Sequence, residues 1–248
     1  MLTQQEMEKV TRRSFLEKIG GFFTASALIA PESLLTEARS AEKEEEKKVK
    51  KAEAIEVSTV EDLMREHGVL SRALMIYDEI IARLAKGEKY DPDVLAGTAG
   101  LIRRFIEEYH EKLEENYVFP RFEKAGKFAD LVKILLEQHW AGRRLTERII
   151  KLAPSEVMEN REKSRQLAQY LRRFTRMYRP HKAREDTILF PAFHAIVSSD
   201  EYGSLGDVFE GKEQELFGKD GFEKIVEEVA GLEKKLGIYE LSQFTPKL

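Results

Sequence analysis

HEKLEENYVFPRF at residues 110–122 and HKAREDTILFPAF at residues 181–193 are two versions of one stretch. They share His, Glu, Phe, Pro and Phe at matching places, with His110 standing 71 residues before His181. In each copy a glutamate follows the histidine four residues on, Glu114 after His110 and Glu185 after His181. Residues four apart lie on one face of a helix, one turn along. Each pair therefore aims a nitrogen and a carboxylate at the same volume.

Both copies lie on long amphipathic patterns. Upstream of His110, Asp91-Pro92 has the form of an N-cap followed by proline at the first helical position. The apolar stripe then runs Ala99, Ile102, Ile106, His110, Leu113 and Tyr117. The second copy follows Pro154-Ser155, with Leu167, Leu171, Phe174, Tyr178, His181, Glu185, Ile188 and Ala192 on its stripe. Pro180 is expected to kink that helix just before His181.

Two further helices complete the set. Ser58-Thr59-Val60-Glu61 reads as a capping box. It opens a stripe of Val60, Leu63, His67, Leu70, Leu74, Tyr77, Ile81 and Leu84 that ends near Gly87. After Gly126 the stripe is Phe128, Leu131, Leu135, His139, Gly142, Leu145, Ile149 and Leu152. His67 lies 72 residues before His139, and Arg72 lies the same distance before Arg144. Each half of this region thus supplies one lone histidine and one His-x-x-x-Glu pair.

Long helices joined by short connections predict an all-α fold, an up-down-up-down four-helix bundle over residues 58–197. The glycine-rich remainder, 198–248, reads as a short C-terminal helical extension, with Phe222, Ile225, Val226, Val229 and Leu232 forming an apolar face.

A single histidine on an apolar stripe is usually a core residue with one satisfied hydrogen bond. The set resists that reading. A buried carboxylate costs several kcal/mol unless it is paired, and here two face four imidazoles. Two matched half-sets on one seam suit two metal ions side by side, with carboxylates free to bridge them. His194 lies off the stripe and reads as a surface or packing residue.

The absence of cysteine among the 248 residues excludes disulfides, thiolate-held zinc, iron–sulfur clusters and thiol nucleophiles. A net charge of -4 argues against nucleic acid as a partner. No nucleophilic triad, phosphate loop or dinucleotide fingerprint is found. No stretch reaches the roughly 18 apolar residues of a membrane span.

Residues 1–41 read as an address. Thr11-Arg12-Arg13-Ser14-Phe15-Leu16, followed by the apolar run 19–30, is similar to the signal of the twin-arginine translocase, which predicts export to a periplasmic or extracytoplasmic location. Residues 42–57 form a charged linker.

From EHGVL around His67, HEKLEENYVFP, EQHWAGRRL around His139 and HKAREDTILFP, the chain resembles the hemerythrin-like (HHE cation-binding) family over about residues 58–197. The resemblance implies a non-haem di-iron centre bridged by two glutamates, with small oxidants as ligands: O2, NO or peroxide. One departure is visible. Oxygen carriers of the family supply a fifth histidine on the seam, and this chain has none left for that place. Glu111 is the natural replacement. The expected ligands are His67, His110, Glu111, Glu114, His139, His181 and Glu185, with Asp186 a rival to Glu185 for the second bridge. Two iron ions are the expected cofactor, though manganese and zinc suit the same donors. A binding protein and a di-iron oxidoreductase stand level on this reading, with iron storage or sensing as the alternative.

Overall fold

In the computed structural model the described residues are 58–154 and 156–246. The twin-arginine segment and the charged linker lie outside them. Among the described residues there is no strand, and the fold is all-α. No described helix is long and apolar enough to cross a membrane.

Helix α1 spans Thr59–Lys86. Ser58 accepts from the Glu61 backbone and Glu61 reaches back, so the capping box forms as its sequence predicts. Gly87 closes the helix in the left-handed region at φ 73°. The second stretch, α2, covers residues 92–125 and is capped by Asp91 with Pro92 in its first turn. Helix α3 spans Ala129–Lys151. After a single turn at Glu156–Glu159, Asn160 caps α4, which covers residues 161–193. Each of these packs against the next, and α4 returns to pack against α1.

The winding within α2 and α4 goes beyond the sequence reading. The chain stays helical through Pro180 within Arg161–Arg184. π winding occurs at Ile102–His110 and at two matched places, Glu114–Val118 and, 71 residues later, Glu185–Leu189. In both, the N–H before the proline reaches back five residues, Phe119 to Glu114 and Phe190 to Glu185. Pro120 and Pro191 have no N–H to give and would crowd the carbonyl four residues back, and a wider turn relieves both problems.

The extra residue also rotates the helix beyond it. Val118 and Leu189 take the core positions at 0% exposure, while Ile188, expected on the stripe, is 37% exposed. Phe128 also leaves the predicted stripe. It stands outside α3 at φ 56° and is 42% exposed.

The C-terminal residues form α5, Ser199–Phe217, and α6, Gly221–Leu236. Both pack on α1 and α2 within the same compact unit, Ser58–Leu248. Phe222, Ile225, Val229 and Leu232 are buried there, as the sequence pattern predicts, whereas Val226 is only partly buried. Arg72 anchors α6 through Glu233, and Thr59 donates to the Tyr202 carbonyl of α5 at 2.8 Å.

Helices α3 and α4 approach closely at Gly142, where a Cβ would overlap the hydroxyl and ring of the buried Tyr178. Gly142→Ala should therefore cost about 1–3 kcal/mol through overpacking, read as a lower urea midpoint at unchanged slope.

Candidate metal centre

Four imidazoles converge in the interior, one from each of α1 to α4, and none is more than 4% exposed. They meet in two pairs through their Nε2 atoms. His67 and His110 lie 3.1 Å apart, and His139 and His181 lie 3.2 Å apart. The two glutamates span the pairs. Glu114 Oε2 is 3.6 Å from His110 Nε2 and 3.4 Å from His139 Nε2. Glu185 Oε2 is 3.2 Å from His181 Nε2 and 3.4 Å from His67 Nε2.

The outward nitrogens are all engaged. His67 Nδ1 meets Asp186 at 2.7 Å and His110 Nδ1 meets Glu66 at 2.7 Å. His139 Nδ1 meets Glu115 at 3.1 Å and His181 Nδ1 meets Gln138 Oε1 at 2.8 Å. Each partner is an acceptor, so each ring carries its proton on Nδ1 and turns the Nε2 lone pair inward. Two facing Nε2 atoms at 3.1 Å, beside buried carboxylates, repel unless a proton or a metal ion lies among them.

The donors fit such an ion. Imidazole nitrogens about 2.1 Å from one ion such as zinc, at right-angled to tetrahedral spacing, stand roughly 3.0–3.4 Å apart. The oxygens of Glu114 and Glu185 are wholly buried and accept no hydrogen bond among the described residues. His67, His110 and Glu114 form one group able to hold an ion, and His139, His181 and Glu185 form another.

Electrostatics without an ion point the same way. Burial and then the neighbouring His67 push His110 well below its ordinary value. Burial takes His139 down to about 4. Burial also opposes charge on His67, but Asp186 and Glu185 outweigh it and raise the ring. Burial and the charge of Glu185 push Glu114 well up. Burial works against Glu185 too, yet His181 and His67 hold it well down. The protein alone thus accommodates one negative charge on the carboxylate pair, and two need added positive charge.

Glu111, the seventh expected residue, is engaged by two other side chains. Its Oε1 accepts from Tyr178 at 2.6 Å and its Oε2 pairs with Arg143 at 2.8 Å. It groups with Glu115 and His139, not with either histidine pair. His194 is exposed and lies against Tyr202.

Sequence reasoning missed Glu66, Glu115 and Gln138, and weighed Asp186 only as a bridge. Their signal was present. The residue before each lone histidine (Glu66, Gln138) and the residue after each paired glutamate (Glu115, Asp186) are all acceptors. Glu66 also lies in a buried carboxylate group with Asp62 and with Glu213 from α5.

The Hemerythrin HHE cation binding domain matches residues 58–193, and again residues 130–229. The chain belongs to this family. The second match begins 72 residues after the first, the same displacement that carries His67 onto His139. An uncharacterized protein of Mycobacterium bovis and one of Mycobacterium tuberculosis are each 46% identical over 192 residues, which is 77% of this chain and 75% of theirs. No solved structure matches.

One contribution to the pH response of metal-free protein comes from His139. Its folded value of about 4 lies below the ordinary 6.5. The unfolded chain therefore binds more protons between those values, and stability from this group rises with pH across the interval, by up to about 3 kcal/mol. His139→Gln should flatten the rise in urea midpoint that wild type shows from about pH 4 to 6.5 relative to the variant.

Proposed function

We propose that the chain is an exported non-haem di-iron protein, built as an up-down-up-down four-helix bundle, that binds or reacts with O2, NO or peroxide. His67 and His110 would hold one ion, His139 and His181 the other, with Glu114 and Glu185 reaching both. The observation that carries this reading is the inward convergence of four Nε2 lone pairs, each fixed by an outward Nδ1 hydrogen bond. Family membership supports a metal, typically iron. Export rests on the twin-arginine pattern alone.

When bound, the iron pair supplies redox change at a place shielded from bulk water. The chain does the rest. Asp186, Glu66 and Glu115 orient three of the rings and make them stronger donors, and Gln138 orients the fourth. Phe119 and Phe190 stack on His139 and His67 and help keep the cavity dry. Glu111 stays outside the ligand set for as long as Tyr178 and Arg143 hold its two oxygens. The surrounding carboxylates favour the more highly charged, oxidised ions, which supports reaction over reversible carriage.

Elemental analysis of protein loaded with Fe(II) without air should give two ions per chain. Glu114→Ala and Glu185→Ala should each lose both, and Asp186→Ala should keep most of its iron. One ion per chain in wild type, unaffected by His67→Ala or His139→Ala, would sink the dinuclear reading.

Exposed to air, the reduced protein should oxidise, and sweeping with inert gas should not restore the ferrous spectrum. Full recovery over repeated cycles would mark an oxygen carrier.

A further inference from the structure

The two halves that match so closely at the histidines differ beside them. Between α2 and α3, Arg143 pairs with Glu111 at 2.8 Å and also with Glu115. The internal repeat puts Ser71 where Arg143 stands, and Lys182 where Glu111 stands. The ion pair of one half is therefore answered, between α1 and α4, by a lysine and a small hydroxyl.

The space left behind is a groove of about 340 Å³ lined by Ser71, Leu74, Met75, Arg179 and Lys182. Ser71 turns its hydroxyl to the His67 carbonyl at 2.7 Å and offers the groove little bulk. Arg179 pairs with Asp78 of α1. Lys182 has no carboxylate partner among the described residues, and its side chain is only partly exposed. Leu74 and Met75 give the groove an apolar floor, which weakens the competition of water for a charged guest.

We infer that this groove between α1 and α4 binds a small tetrahedral oxyanion, which takes the place of the carboxylate that Glu111 provides in the other half. A water molecule's share of liquid volume is about 30 Å³, so the groove has room for an anion of five heavy atoms with some of its hydration. Lys182 supplies the uncompensated charge. Arg179 adds N–H donors left over from Asp78, in the planar arrangement that suits oxyanions. The site is outside the ligand cluster, and the inference holds whichever metal that cluster takes.

Sulfate, a weak ligand for iron, is the probe, titrated calorimetrically into the metal-loaded protein. One sulfate should bind per chain with a Kd of about 10 mM or tighter. Lys182→Met should weaken it by about tenfold or more, the scale of one charge-assisted hydrogen bond. Ser71→Arg combined with Lys182→Glu rebuilds the ion pair of the other half, and should abolish binding while metal content and melting temperature hold. No sulfate binding in wild type would overturn the inference. So would equal binding in wild type and Lys182→Met, because the anion would then sit elsewhere, at the metal centre or on the surface.

Discussion

A neutral imidazole has one proton and two nitrogens, and everything at this centre depends on where that proton is kept. Asp186, Glu66, Glu115 and Gln138 take it on the outer side of each ring. The inner side is left with nitrogens that face one another and two buried carboxylates, a set that calls for a proton or a metal ion. The same choice fixes the ring orientations, since a ring tethered at Nδ1 cannot flip without leaving a buried acceptor bare. The acceptors come from neighbouring helices in rotation: α4 serves α1, α1 serves α2, α2 serves α3 and α3 serves α4. No helix can shift along its axis without disturbing the hydrogen bond it gives or the one it receives.

Much of this was legible in the chain. The 71-residue repeat with its His-x-x-x-Glu spacing, and the two lone histidines on apolar stripes, identified six of the residues that meet in the interior, because spacing along a helix translates directly into direction. Capping at Ser58 and Asp91 was equally plain, since those interactions are local. What could not be read was the π winding at Glu114–Val118 and Glu185–Leu189. A fixed helical period puts Ile188 inside, and the winding puts Leu189 there instead. The Phe-Pro that follows each of these two stretches was in view, but the winding lies upstream of the proline, where the pattern still looks regular.

The outer acceptors were hidden for a different reason. Glu66 and Gln138 precede their helix's own histidine, and each serves a histidine on another helix. Such a partnership depends on which helices are neighbours, and spacing alone carries no information about that. Glu111 shows the converse. Its two oxygens meet Tyr178, packed at Gly142, and Arg143, and it also groups with Glu115 and His139 as a set that could hold an ion. Sequence position could not weigh that competition.

The buried carboxylate group of Asp62, Glu66 and Glu213 joins the first described helix to the fifth, and Arg72 reaches still further, to Glu233. These links have a bearing on the order of assembly. A chain emerging from the ribosome presents all four histidines by residue 181. It cannot yet cover Glu66, the acceptor that orients His110, because α5 and α6 are still to come. Contacts so distant along the chain close late. The walls of the centre are complete only once α5 and α6 have been made, so the fully enclosed pocket is denied to a nascent chain that has reached only the fourth helix.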